Sequence, residues 1–374
     1  MIQKFPFKEL FFEEVKKITN SLKNNVIQGN KEPTTEPYES VRRQEGSAVD
    51  AGEHIFRRVG MANCHAHLDR AYTLTPEIWK QASALMEEKW VLNRDIKRKH
   101  TKESLTERLE FCIEDFIRQG IVACRTHVDA DSIVGMLVVD TAAEVREKYR
   151  GRFTLQLVAH PLEGFLNEDR TAESKEKMDL FEKACAICDV VGGLPSRDRN
   201  KDGGDKKHMD FLISMAKNFG KDIDMHIDQE NNPEEKDSEW VLDKIKETNM
   251  EGRVTFVHAI SVAAQMEADR NKIYDKMSGL GVNVTVCPKA AISMKQHKDK
   301  MAPLHNSIAQ ADEMLAHGIN VSLGTDNISD IFVPEDNGDL FEEVLSLASA
   351  VRFYDIEKLA QMATINGLKT MKLN

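Results

Sequence analysis

Long hydrophobic runs are missing from this 374-residue chain, and no apolar stretch approaches the ~20 residues that a membrane helix needs. Nor does a basic segment followed by an apolar one open it, so no secretory leader is expected. Basic charge is in deficit as well: 51 Lys and Arg stand against 62 Asp and Glu, a formal net charge of -11. A protein that grips nucleic-acid backbones needs a basic face, which this balance argues against. Cysteine is sparse. Cys64, Cys112, Cys124, Cys185, Cys188 and Cys287 are scattered rather than spaced as a disulfide framework. Cys185 and Cys188 have the spacing of half a zinc ribbon, but no second pair completes a four-thiolate site. They read as a helix running into a strand. The expectation is a cytoplasmic chain with neither membrane nor nucleic acid as a partner, long enough to bury a core without disulfides.

What is present is a rhythm. Residues 8–24 carry apolar groups at helical spacing, and Gln28–Ala51 is rich in Gly, Pro, Ser, Thr and charge. Residues 1–50 are therefore expected to be a helix and linker preceding one domain over 51–374. Short apolar or β-branched runs follow at Met61–His65, Ile121–His127, Phe153–Ala159, Cys188–Gly193, Ile223–Ile227, Val254–His258, Val282–Cys287 and Val321–Gly324. Helical stretches separate them, including Asn306–His317 and a stripe formed by Leu340, Val344, Leu347 and Val351. An inserted helical segment over 76–119 fills the longest gap. Eight strands alternating with helices predict a (β/α)8 TIM barrel, although a doubly wound open sheet alternates similarly.

The reactive residues favour the barrel. His65 and His67 close the first run, His127 the second, His226 the fifth and His258 the sixth, and Asp326 follows the eighth. In a barrel those ends converge on one mouth. In extended chain residues i and i+2 point the same way, so His65 and His67 can serve one ion. With His226 and Asp326 they offer three nitrogens and a carboxylate oxygen, a set that suits one Zn2+ or Fe2+ and leaves room for water.

These segments resemble the amidohydrolase superfamily, close to its cytosine deaminase group. The similarity rests on His65-Ala66-His67-Leu68-Asp69, Arg125-Thr126-His127-Val128-Asp129, Pro161-Leu162-Glu163-Gly164, Val191-Gly192-Gly193-Leu194-Pro195, His226-Ile227-Asp228-Gln229, Val257-His258 and Gly324-Thr325-Asp326-Asn327. They occur in the family's order over roughly residues 60–370. The resemblance implies a mononuclear site held by His65, His67, His226 and Asp326. Asp326 would accept a proton from the nucleophilic water, and His258 would orient that water or steady the oxyanion. His127 and Asp129 would stand behind the ligands and orient them.

The chain also departs from that group. Gln229 replaces the glutamate that carries a proton to a ring nitrogen, and a glutamine never ionises. Glu230 beside it would point to the opposite side. Leu162 replaces the glutamine that reads a pyrimidine edge, so cytosine is an unexpected substrate. Arg70 can clamp a carboxylate or polarise a carbonyl, unless it merely pairs with Asp69. Asn327 can bond a ring or amide group, or only shape a turn. No flanking β-sandwich is expected, which leaves a barrel face free for a homo-oligomer contact. The expected activity is hydrolysis of a non-peptide C–N bond in a small amino-heterocycle or amide. An imidazolonepropionase-like or cyclic-amidase enzyme would manage without the missing glutamate. The alternative is a catalytically inactive binding protein that keeps the barrel.

Overall fold

In the computed structural model, which describes residues 7–27, 60–82, 85–304 and 308–373, eight parallel strands run in sequential order around a nearly closed barrel. They are β1 (Met61–Ala66), β2 (Ile121–Asp129), β3 (Thr154–His160), β4 (Val190–Gly193), β5 (Ile223–Ile227), β6 (Val254–His258), β7 (Asn283–Val286) and β8 (Asn320–Leu323). Strands covered by helices are buried on both faces and read as continuous apolar runs. β4, β5 and β6 accordingly have no exposed or half-exposed residue. Among the described residues every strand belongs to this sheet, and no helix is long and apolar enough to cross a membrane.

Closure between β8 and β1 runs through the site itself. Ala66 and Asp326 form a parallel bridge; the Asp326 amide donates to the His65 carbonyl at 2.9 Å and the His67 amide to the Asp326 carbonyl at 3.2 Å. Gly324 permits the approach, because a Cβ there would lie 2.7 Å from the His65 carbonyl oxygen. The chain thus spends a barrel seam on bringing His65 and Asp326 together.

The N-terminal helix spans Phe7–Ile27. It lies on the barrel wall, with the Phe11 and Phe12 rings 5.2 and 5.5 Å from Phe341, and it packs against the helix Ile356–Ala363. The Gln28–Ala51 stretch falls outside the described residues. Between β1 and β2 lie three helices, Pro76–Trp79, Met86–Lys97 and Lys102–Gln119. The last is capped by the Thr101 hydroxyl, which accepts from the Ser104 amide, and ends at left-handed Gly120. One expected helix is shorter than its periodicity implies: within Asn306–His317 only Ala311–Ala316 is helical, 308–310 are not, and Asn306 and Ser307 lie outside the described residues. Leu340, Val344 and Leu347 do face the core from the helix Leu340–Ala350, and Val351 falls just beyond its end.

Candidate active site

Strand ends deliver the site. The ligand atoms of His65, His226, His258 and Asp326 all lie within 4.8 Å of one another. His67 adjoins them, its Nε2 3.3 Å from both Asp326 Oδ1 and His226 Nε2. His65 Nε2 is 3.2 Å from the same Asp326 oxygen, and His258 Nε2 is 3.8 Å from Oδ2. Five side chains from β1, β5, β6 and the end of β8 therefore surround one point. Two hold strained backbone, His258 at φ 78° and Asp326 at φ 60°. Non-glycine residues in that region cost about 1–3 kcal/mol each and concentrate where geometry serves function.

The donor set fits a divalent ion. Both ring nitrogens of His65, Nδ1 of His67, His226 and His258, and Oδ1 of Asp326 are buried with no hydrogen-bond partner. The Nε2 atoms of His65, His67 and His258 face the Asp326 carboxylate, with that of His226 beside them, a set of imidazole donors and one carboxylate that suits a divalent cation. Burial, reinforced for His67 by Arg70 and for His226 by His65, pushes both imidazoles well below their usual range; burial also brings His258 down to about 4. Neutral imidazole is the form that ligates. Burial alone would raise Asp326, but His65 and its neighbours hold its carboxylate well below the ordinary value.

Behind this group, His127 packs edge-on against His65 at 4.5 Å between ring centres, and its Nε2 is 3.4 Å from Asp224. Asp129 lies 3.0 Å from the Lys97 ammonium and 3.6 Å from Arg70. His160, at the end of β3, is a residue that reading the sequence passes over. Its ring is 4.9 Å from His226 and 5.1 Å from His127, and it lines the pocket. The third apolar run ends directly before it, as other runs end at a histidine, and that position was its one available signal.

The mouth holds a pocket partly open to solvent, with Leu162, Gln229, Asn327 and Arg70 all on its wall. Arg70 does not simply pair with its neighbour Asp69. Its guanidinium lies between Asp129 and Asp330, at 3.6 and 3.5 Å, and over the Phe332 ring at 5.0 Å. Asn327 both faces the pocket and donates to Asp330 at 2.6 Å within its own loop. The Gln229 amide donates to the Ser196 hydroxyl at 3.3 Å. Glu230 turns away and meets His297 at 2.8 Å.

A model of the amidohydrolase family matches residues 59–374. The chain belongs to this family. It is 36% identical to an uncharacterized protein of Haemophilus influenzae, over 70% of this chain and 93% of the other. N-isopropylammelide isopropyl amidohydrolase of Pseudomonas sp. (strain ADP) is 25% identical over 76% of this chain, which spans 66% of that enzyme. Pterin deaminase of Rhizobium rhizogenes is 23% identical over 79% of this chain and 65% of its own length. Among solved structures, 5-methylcytosine deaminase from Klebsiella pneumoniae shares the fold, with a TM-score of 0.76 at 23% identity, covering 90% of this chain and 80% of that one. The barrel in this amidohydrolase thus carries its histidine and aspartate cluster at the ends of its strands, within the span that the family model matches.

Proposed function

We propose that this amidohydrolase breaks a C–N bond other than a peptide bond in a small amino-heterocycle or cyclic amide, using water as the nucleophile. The observation that carries the reading is the convergence of the Nε2 atoms of His65, His67, His226 and His258 on Asp326, beside a pocket. Zn2+ or Fe2+ held by His65, His67, His226 and Asp326 would supply an acidified water, with a pKa lowered from 15.7 towards about 7. Asp326, unprotonated at neutral pH, accepts the proton of the attacking water and passes it to the leaving nitrogen. His258, neutral at that pH, donates to the oxygen that gains negative charge. His127, His160 and Asp129 hold these groups in place, and Arg70, Gln229, Asn327 and Leu162 shape the substrate's outline. The deaminase and amidohydrolase names of two curated relatives support the C–N chemistry.

Metal content of protein purified without chelator, beside Asp326→Ala and His65→Ala, tests the reading. About one ion per chain, lost in both variants, is expected, followed by release of amine from a panel of amino-pyrimidines, triazines and cyclic ureides. Gln229 and Leu162 favour a second reading, a barrel that binds without turnover; a chain that takes up no metal on reconstitution decides for it.

A further inference from the structure

The helix Met86–Lys97, inserted between β1 and β2, buries an unusual face. Lys89, Asn93 and Lys97 recur every four residues and so share one stripe, and none is more than 4% exposed. A helix docked only for stability would present apolar side chains there. Lys89 and its neighbour Trp90 both line the pocket that holds His226, His258 and Asp326.

The three buried cations of this region are balanced differently. Arg70 lies between Asp129 and Asp330. Lys97 meets Asp129 at 3.0 Å and also contacts Asp131. Lys89 has no carboxylate in ion-pair contact among the described residues: its Nζ donates to one neutral acceptor, the Phe332 carbonyl, at 3.0 Å. An ammonium carries three donors, so two N–H groups remain to be met. Burial depresses its proton affinity, and Asp330 and Glu335 offset this only from a distance. A buried charge left without a partner is costly, and a ligand of opposite sign removes that cost.

Resting on the hydrolase reading above, we propose that Lys89 is a specificity-determining residue and that the substrate is an anionic planar N-heterocycle. Its oxyanion, an exocyclic carboxylate or an ionised ring oxygen, pairs with the Lys89 ammonium, and its ring lies among Trp90, Phe332 and Leu162. Charge balance agrees. A divalent ion would bring two positive charges against the one carboxylate of Asp326, and Lys89 lines the same pocket with a neutral acceptor at its Nζ. Arg70, for which the sequence leaves a carboxylate clamp as one of several roles, already has two carboxylates, which leaves that task to Lys89.

Titration calorimetry on the metal-loaded enzyme tests this with three product-like rings that have no exocyclic amine to lose: uracil, uracil-5-carboxylate and barbiturate, the last ionised at neutral pH. At least one anion should bind about tenfold or more tightly than uracil. The carboxylate alone showing the preference assigns the exocyclic group, and barbiturate alone assigns the ring oxygen. In Lys89→Met the preference should fall to within about twofold while uracil binding holds, and Lys89→Arg should restore part of it. Equal binding of all three rings by the wild type, failure of both anions to bind, or full preference in Lys89→Met overturns the proposal. Should Lys89→Met not fold, the wild-type comparison decides alone. Metal present with no anion preference defeats only the role of Lys89, whereas absence of metal defeats the hydrolase reading.

Discussion

Arg125 on β2 reaches across the barrel interior to Asp224 on β5, its Nη1 donating to Oδ2 at 2.6 Å. These strands are not neighbours in the sheet, so the pair ties opposite walls beneath His127. The same guanidinium donates to Gln156 on β3 at 2.6 Å and to the Thr370 carbonyl at 2.9 Å. Replacing Arg125 with Met would leave the fully buried Asp224 without its countercharge. Losing one partner of a buried pair costs about 3–5 kcal/mol. Urea unfolding of Arg125→Met should show a loss of that order, and an unchanged midpoint would mean that the guanidinium contributes nothing net.

A second buried carboxylate makes stability depend on pH in the opposite sense to the usual one. Burial, with Asp336 adding to it, raises Glu343 well above its ordinary 4.5. Its Oε2 accepts from the Lys289 amide at 2.9 Å, and the Lys289 ammonium lies 3.3 Å from Asp336 Oδ2. Because its folded pKa exceeds the unfolded one, the native state binds more protons. The contribution is therefore full below the unfolded pKa and is lost as pH rises through the folded value. Melting temperatures between about pH 5 and about pH 9 should fall less steeply in Glu343→Gln than in the wild type. A steeper fall in the variant would contradict the assignment.

The barrel is legible because doubly covered strands must be apolar throughout, and the site because its side chains cluster where those runs stop. β4 and β7 are each shorter than their apolar runs, since Cys188, Val282 and Cys287 are buried outside the ladder, and β8 is offset from its run by one residue. Lys89 and Lys97 escape a sequence reading for a physical reason: a lysine on a helix ordinarily lies in solvent, and only the tertiary positions of Asp129, Asp131 and the Phe332 carbonyl explain their burial. Arg70 is similar. Asp69 is its neighbour in sequence, but its ion-pair partners are contributed by β2 and by the loop after β8.

Asp326 combines the proposed proton-accepting role with a left-handed backbone, which makes Asn the informative replacement. Asn tolerates φ 60° and keeps the size of the side chain, but it cannot take up a proton at neutral pH. The kcat of Asp326→Asn on any substrate the panel identifies should drop about 10^2- to 10^4-fold. Metal content measured on the same sample separates the two causes. Retained metal with lost turnover supports the proton-accepting role, and undiminished turnover removes it.

Gln229 and Leu162 are proposed to set together what the pocket refuses. Both lie on its wall, Gln229 tied to the Ser196 hydroxyl and Leu162 packed with Trp90 and Leu194. The resemblance to cytosine deaminases places a proton-carrying glutamate and an edge-reading glutamine at these positions. Neither Gln229 nor Leu162 offers those functions, because an amide does not ionise and an isobutyl group makes no hydrogen bond. Gln229→Glu alone restores a proton carrier without a group to orient the ring, so it should change little. Combined with Leu162→Gln, it should release ammonia from cytosine at least about 10^2-fold faster than the wild type, the lower end of what a positioned acid–base group contributes. Metal content must be equal in the two proteins for the comparison to hold. A double variant that retains its metal and is no faster than the wild type would show that cytosine is excluded elsewhere, with the charge at Lys89 the next feature to change.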